Sequence, residues 1–211
     1  METRKTVGIL VFPEVEVLDF CGPFEVFSVA RLDEAHRRET ESPFLVLLIS
    51  HGGVNNLPVR ACGGLRVLPD CGLDDCPPLD VLLVPGGWGT RALLGDAALS
   101  RWLRERAKKV EMLLSVCTGA LLLGKAGLLD GRRATTHWRS LDALAQVAPL
   151  AEIVRDEHVV QTAPNFLTSA GIAAGIDLAL QAVAHFHGDA IARATARYME
   201  YPFPEENRRR V

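Results

Sequence analysis

Residues 112–123 of this 211-residue chain read MLLSVCTGALLL, and this stretch decides the fold. Its first half is a short apolar run, typical of a strand that is buried on both faces. Its second half consists of small and apolar residues that favour a helix. We therefore predict a strand over residues 110–116 and a helix from Thr118 that ends near Gly127. Cys117 stands at the corner between them, and Gly119 lets the helix pack close to the strand.

Strands and helices alternate on both sides of this corner. Strands are predicted over residues 6–12, 44–49 and 80–84, a hairpin-like excursion over 57–60 and 65–68 within residues 54–69, and helices over 97–109, 175–185 and 189–201. Gly22 and Pro23 predict a break, followed by a helix that starts at Pro23. This alternation predicts an α/β protein with a doubly wound, mostly parallel sheet, and residues 1–211 are assigned to a single domain.

Composition and charge exclude several classes of protein. Hydrophobic residues make up 48% of the chain and charged residues 23%, proportions of an ordinary globular protein, which excludes a disordered one. The net charge of -3 gives no basic footprint for nucleic acid, and the arginines at 208–210 are predicted to be a solvated tail. We expect no membrane segment, because polar residues and glycines break the longest apolar stretch, residues 112–129, and no secretory signal, because the first apolar run is too short. We expect a cytoplasmic protein that binds no nucleic acid and no membrane.

Cysteine and histidine spacing predicts no metal site. The five cysteines are odd in number and widely spread, which favours free thiols over a disulfide framework. Cys71 and Cys76 have no second pair at zinc spacing, and His185 and His187 lie on different faces of their predicted helix. No cofactor motif for nucleotides is present either, so we expect neither a metal nor a cofactor.

The corner cysteine is the strongest candidate for chemistry. In open α/β sheets, ligands bind beyond the carboxyl ends of the strands, where Cys117 is predicted to lie. At a helix N-terminus, backbone N–H groups and the helix dipole favour thiolate over thiol, so we expect a lowered pKa for Cys117. The alternative is a buried structural thiol.

Three other positions at predicted strand ends carry candidate groups. Gly86 and Gly87 follow the strand over residues 80–84 and can direct two N–H groups at a ligand, as an oxyanion hole requires, or form only a tight turn. Asp19 stands between apolar neighbours and needs a partner or a site group, unless it caps a helix. His137 follows a predicted strand end and is either a general base or a structural residue.

Several motifs together resemble the DJ-1/PfpI superfamily, and they occur in order over most of the chain. They are FPEV (12–15), LD (18–19), GP (22–23), PGG (85–87), SVCTG (115–119), AGLLDGRRATTHW (126–138) and GIAAGID (171–177). The nearest subgroup is the isonitrile hydratases, together with the amidotransferase-like domains of AraC-type regulators. The resemblance implies a flavodoxin-like sandwich of the class I glutamine amidotransferase type, usually a homodimer.

The resemblance also implies roles for individual residues. It makes Cys117 the nucleophile, Asp19 its carboxylate neighbour and Thr118 a site hydroxyl, with Gly86 and Gly87 as the anion-stabilising turn. His137 is expected to contact the substrate. Family proteases carry His directly after the nucleophile, so Thr118 disfavours a protease. Ser169 and Ala170 also stand where the hydratase subgroup has glycines, and they would alter substrate preference if they line the pocket.

The function predicted from this resemblance is a lyase that hydrates an isonitrile to an N-substituted formamide. Cys117 attacks the isonitrile carbon, and Asp19 serves as acid and then as base. One alternative is a ligand- or redox-sensing module without catalysis, although little chain follows the last predicted helix to form a DNA-binding domain. Glyoxalase or deglycase chemistry, as in DJ-1 relatives, uses the same thiol and is the other alternative.

Overall fold

The computed structural model describes residues 4–51 and 57–209, so residues 1–3, the start of the predicted excursion at 54–56 and Arg210 lie outside the described residues. Its strands, in chain order, are β1 (Lys5–Val11), β2 (Phe44–Ser50), β3 (Val59–Arg60), β4 (Arg66–Val67), β5 (Cys71–Gly72), β6 (Val81–Val84), β7 (Met112–Val116), β8 (Arg133–Ala134), β9 (Glu152–Ile153), β10 (Val159–Ala163) and β11 (Phe166–Ser169). Its helices are α1 (Val17–Val29), α2 (Thr90–Leu93), α3 (Ala97–Ala107), α4 (Gly119–Lys125), α5 (Leu141–Val147), α6 (Ala174–His187) and α7 (Asp189–Tyr198). Short 3₁₀ turns span Cys62–Gly64 and Trp138–Ser140.

Seven of these strands form one sheet in the order β10-β11-β7-β6-β1-β2-β5. Every neighbouring pair is parallel except the antiparallel hairpin of β10 and β11. Helices α1, α6 and α7 pack against one another, whereas α2, α3 and α5 pack around α4, and both groups contact the sheet. The predicted doubly wound, mostly parallel α/β fold is therefore confirmed.

The centre of the sheet is fully covered, as the apolar runs predicted. All residues of β6 and β7 are buried, and so is β1 from Val7 onward. Strands covered on both faces carry no alternating polar side chains, which is why their sequences are nearly continuous apolar runs. The consequence for function is that β1, β6 and β7 are adjacent and parallel, so their carboxyl ends lie side by side.

One prediction about local structure is wrong near the first strand. Helix α1 runs without a break from Val17 to Val29, with Pro23 inside it rather than at its start. Pro23 has no N–H to donate to the carbonyl of residue 19, a loss that tertiary packing offsets here. Helix α1 packs tightly on α6 at Gly22, because a Cβ at that position would lie only 2.9 Å from the side chain of Ile176. Asp19 therefore lies inside a helix and does not cap one.

The hairpin-like excursion is confirmed in the residues described, because β3 and β4 pair antiparallel. Two short elements were not predicted: β5 at the edge of the sheet and α2, which follows the Gly86–Gly87 turn. Their few residues give no periodicity from which either could be identified.

The end of the chain is not the solvated tail that the sequence predicted. The backbone of His158 donates to the carbonyl of Asn207, and Arg209 is half-buried. Its guanidinium Nη2 donates to Thr135 Oγ1 at 2.7 Å and to the carbonyl of Thr136 at 3.1 Å. The prediction is wrong for Arg209 because buried oxygen acceptors are available to it. In the part of the chain that the structure describes, no helix is long and apolar enough to cross a membrane.

Candidate active site

The corner at Cys117 has the backbone of a nucleophile elbow. Cys117 lies between β7 and α4 with a φ of 54°, a left-handed conformation that is uncommon outside glycine. Its N–H donates to the carbonyl of Ala170 at 3.1 Å, and its own carbonyl accepts from Thr136 Oγ1 at 2.6 Å. Gly119 is required behind it, because a Cβ there would overlap the carbonyl oxygen of Val84. These contacts hold the strained corner in place from both sides.

Asp19 reaches the same point from α1 and is completely buried. Its Oδ2 accepts a hydrogen bond from the N–H of Gly86 at 2.8 Å, whereas no described residue makes a hydrogen bond of ordinary geometry to Oδ1. Burial raises the pKa of the Asp19 carboxyl to about 7, although the Gly86 N–H acts in the opposite direction. A carboxyl with this pKa can both donate and accept a proton near neutral pH.

Cys117 does not have the lowered pKa that its corner position predicted. Burial and the adjacent negative charge of Asp19 raise the pKa of the Cys117 thiol well above its ordinary value, and these effects outweigh the opposing influence of Thr118. Helix α4 has only seven residues, and the sulfur is too desolvated for its N-terminus to compensate. The surroundings of Cys117 therefore favour the thiol over the thiolate, and a carboxyl of pKa about 7 lies beside it.

The N–H groups of Gly86 and Gly87 are not free, in contrast to the oxyanion hole predicted for them. Gly86 donates to Asp19, and Gly87 donates to Thr118 Oγ1 at 2.9 Å. Thr90 Oγ1 also lies 3.3 Å from Thr118 Oγ1. The Gly86 amide is bonded to α1 and the Gly87 amide joins the corners after β6 and β7, so neither points freely into the pocket in this structure, and the oxyanion-hole role of the two glycines stays a prediction. The hydroxyl of Thr118 links the two corners.

Cys117 opens into a pocket of about 230 Å³ at the carboxyl ends of the strands. The pocket is lined by Glu16, Gly87, Trp88, Arg91, Cys117, Thr118, His137, Arg139, Ser140 and Ile172. The structure thus brings Cys117, Thr118, Gly87 and His137 into one cavity, as predicted from the sequence. Asp19 and Gly86 do not line it and lie beneath Cys117 and Thr118.

His137 lies at the side of the pocket, and its ring is not oriented by a carboxylate among the described contacts. Its Nδ1 accepts a hydrogen bond from the N–H of Arg139 at 3.3 Å, which leaves the proton on Nε2 in the neutral ring. Burial lowers the pKa of His137, and the charges of Arg139, Arg209 and Arg91 lower it further. A neutral imidazole with Nε2–H is a hydrogen-bond donor to a ligand.

Sequence reasoning missed much of the pocket wall, including Glu16, Trp88, Arg91, Arg139 and Ile172. One available signal was that Trp88 and Arg91 follow the Gly86–Gly87 turn, and Trp138 and Arg139 follow His137, so that each pair lies directly after a candidate corner. Ile172 has a φ of 59°, and no sequence pattern predicts this conformation.

The remaining predictions concern the thiols, the metals, and Ser169 and Ala170, which stand where the hydratase subgroup has glycines. The five cysteines are free, as predicted. Among the described residues, no cluster of three or more histidine, cysteine, aspartate or glutamate side chains has the arrangement of a metal site. Ser169 and Ala170 are buried and do not line the pocket, and Ala170 instead supports the elbow through its carbonyl.

The fold and the site together define an α/β protein with a cysteine on a nucleophile elbow and a buried acid beside it. A model of the DJ-1/PfpI family matches residues 5–185. The isonitrile hydratase of Pseudomonas putida is 36% identical over 195 residues, which are 92% of this chain and 78% of that protein. This chain belongs to the DJ-1/PfpI family.

Two further relatives differ in their length relative to this chain. The HTH-type transcriptional regulator CdhR of Pseudomonas aeruginosa is 34% identical over 183 residues, which are 87% of this chain but 51% of the regulator. The chain therefore spans about half of that regulator. A solved structure of a THiJ/PfpI family protein from Pseudomonas syringae superposes with a TM-score of 0.79 at 32% identity, covering 97% of this chain and 78% of that one.

Proposed function

We propose that this protein is a lyase that adds water to an isonitrile and releases an N-substituted formamide. The observation that carries this proposal is the buried carboxyl of Asp19 beside the Cys117 thiol, close enough for the charge of Asp19 to raise the pKa of Cys117. The similarity to the isonitrile hydratase of Pseudomonas putida supports the same reaction class. Thr118 in the position after the nucleophile disfavours a protease.

In the first step, the carboxylate form of Asp19 takes the proton of the Cys117 thiol while the sulfur forms its bond to the terminal isonitrile carbon, so that no free thiolate has to form. Asp19 then gives this proton to the same carbon. The product is a thioimidate, in which the carbon carries hydrogen, sulfur and a double bond to nitrogen. A carboxyl with a pKa of about 7 suits both transfers, since general acid–base catalysis works best with a pKa near the operating pH.

In the second step, Asp19 is again a carboxylate and accepts a proton from water as the water oxygen bonds to the thioimidate carbon. Protonation of the nitrogen and cleavage of the carbon–sulfur bond then release the formamide and restore the thiol. The backbone N–H of Thr118, which acts on the Cys117 sulfur, is the donor we assign to the developing charge. The sum of the two steps is the isonitrile plus one water.

The test is incubation of the purified protein with cyclohexyl isocyanide, with formamide formation followed by mass spectrometry. We expect turnover by the wild type, no turnover by Cys117→Ala, and a loss of about 100-fold or more in Asp19→Asn. Cys76→Ala is the matched control, because Cys76 is also a buried free thiol but does not line the pocket. Unchanged activity in Cys117→Ala would contradict the mechanism, and no turnover by the wild type would remove the substrate assignment.

A second candidate function is ligand sensing without catalysis, favoured by the similarity to the CdhR regulator. In that case a small molecule binds the pocket and is recovered unchanged, in wild type and Cys117→Ala alike. Peroxide sensing and dicarbonyl chemistry use the same sulfur. Mass spectrometry after mild peroxide treatment, and incubation with methylglyoxal, would reveal either activity.

We also propose that the protein is a cytoplasmic homodimer that binds a small-molecule substrate and no nucleic acid. The family resemblance supports the dimer, and the net charge of -3 supports the absence of nucleic-acid binding. Light scattering should give about twice the chain mass of 23.0 kDa. The monomer mass over the whole accessible concentration range would contradict the dimer.

A further inference from the structure

Two arginine–tryptophan pairs lie near the pocket on segments far apart in sequence: Trp88, Arg91 and Arg139 line the cavity, and Trp138 lies beside Arg139. The guanidinium of Arg91 lies 4.6 Å from the ring centre of Trp88, and that of Arg139 lies 4.8 Å from the ring centre of Trp138. A guanidinium that stacks on an indole is held through its face, while the N–H donors in its plane remain available. Both arginines line the cavity that contains Cys117.

These two positive charges have no carboxylate partner. Within residues 4–51 and 57–209, neither guanidinium forms an ion pair, and the one hydrogen bond from Arg91 goes to the carbonyl of Gly87 at 3.3 Å. Glu16 is the only acidic residue among those that line the cavity. Since the two arginines outnumber it, the field at the mouth favours an anion.

His137 shows that this positive charge extends into the pocket. The charges of Arg139, Arg209 and Arg91 all act to lower the pKa of His137, so all three guanidinium groups lie near enough to the imidazole to act on it. The neutral ring keeps Nε2–H as a donor. An entering anion thus meets N–H donors from Arg91, Arg139 and His137 and a single carboxylate.

We propose that the substrate of this pocket carries a carboxylate, which Arg91 and Arg139 bind at the mouth while the reacting carbon faces Cys117. The identity of the reacting group rests on the proposed function, whereas the carboxylate rests on the two arginines. The planar fork of arginine matches the two oxygens of a carboxylate better than it matches a neutral group. A volume of about 230 Å³ restricts the ligand to a small molecule, below the usual size of drug-binding pockets. A short isocyano acid satisfies both conditions.

The test uses N-formylglycine, the product that hydration of isocyanoacetate would give, and N-formylglycinamide, its neutral counterpart of nearly equal size. Binding of each to the full-length protein is measured by calorimetry at low and high salt. We expect N-formylglycine to bind at least about tenfold more tightly than the amide, and its affinity to fall with added salt. The double variant Arg91→Gln/Arg139→Gln should lose this preference. Arg101→Gln, which changes an exposed arginine of α3 outside the pocket, should retain it.

The outcomes separate this inference from the proposed reaction. Equal affinity for the two ligands, no binding of N-formylglycine, or an unchanged preference in the double variant would overturn the carboxylate site. Salt-sensitive binding that depends on both arginines would support it even if neither cyclohexyl isocyanide nor isocyanoacetate is hydrated, in which case only the hydratase proposal fails. If both are hydrated, the double variant should lose at least about tenfold more kcat/KM for isocyanoacetate than for cyclohexyl isocyanide.

Discussion

The pocket has two regions built in opposite ways. Its floor is formed by Cys117 and Thr118, with Asp19 and Gly86 directly beneath them; all four are buried, and backbone N–H groups of the turn after β6 bond to the side chains of Asp19 and Thr118. Its rim consists of Trp88, Arg91 and Arg139, with Trp138 beside Arg139; these side chains are exposed, and each arginine lies over a tryptophan ring.

Shifted pKa values belong to the floor, and selection of the ligand belongs to the rim. Groups on the floor have strongly shifted pKa values because they are desolvated, and a change there disturbs packing and chemistry together. Groups on the rim keep their contact with water, so a change there alters which ligand binds while the fold is preserved. Changes on the floor should therefore lower the free energy of unfolding more than changes at the rim.

The largest effect concerns the pH dependence of stability. The pKa of Asp19 is raised from 3.8 to about 7 in the folded protein, so between these values the folded state holds a proton that the unfolded state has lost. The stability that this proton gives is fully present below the unfolded pKa and is lost as pH rises through about 7. Between about pH 5 and pH 8, the free energy of unfolding measured in urea should fall by up to about 3 kcal/mol more for the wild type than for Asp19→Asn. Parallel pH curves for the two proteins would contradict the raised pKa.

A smaller effect is expected at Gly86. A Cβ at this position would lie 2.5 Å from the backbone nitrogen and Oγ1 of Thr118 and 2.9 Å from Asp19 Oδ2. Gly86→Ala should therefore lower the free energy of unfolding by about 1–3 kcal/mol and kcat by about 100-fold, because the floor groups shift. Gly95→Ala is the matched control, since a Cβ there meets no atom within 4 Å. If both variants keep full activity, the floor is not tightly packed.

Arg209 tests whether the end of the chain supports the floor. Its guanidinium holds Thr135 and Thr136, and Thr136 in turn donates to the carbonyl of Cys117. Arg209→Ala should lower the free energy of unfolding by about 1–2 kcal/mol in chemical denaturation, because the variant loses these hydrogen bonds. Arg208→Ala removes an adjacent exposed side chain and should change the free energy of unfolding by less than about 0.5 kcal/mol. Equal effects of the two substitutions would mean that Arg209 contributes nothing specific.

The smallest effect on stability is expected at the rim. Trp88 is 67% exposed, so Trp88→Ala should change the free energy of unfolding by less than about 0.5 kcal/mol. The same change removes the surface on which Arg91 stacks, and KM for a carboxylate substrate should rise several-fold while kcat stays nearly constant. A thermal scan and steady-state kinetics measure both quantities. A large fall in the melting temperature would contradict the division between floor and rim.

Much of the floor could be predicted from the sequence, because each group stands directly after an apolar strand or in a motif of the family. Cys117, Thr118 and the Gly86–Gly87 turn were placed in this way, and the structure brings them together with Asp19. The rim was not predicted, because exposed tryptophan and arginine carry no periodic signal, and only their position after the two candidate corners pointed to them. The direction of the shift in the pKa of Cys117 was predicted incorrectly, because it depends on how deeply the sulfur is buried and on the charge beside it.

The amino-acid sequence by itself determined the class of the fold, the family and the corner that carries the sulfur, because buried strands, turns and elbows depend on residues that are neighbours in the chain. Packing alone determines that the Gly86 and Gly87 amides are hydrogen-bonded, that burial raises the pKa of Asp19 to about 7, and that the charges of Arg91, Arg139 and Arg209 act on His137. These properties depend on desolvation and on distances between residues far apart in the chain, which are set only when the strands and helices pack.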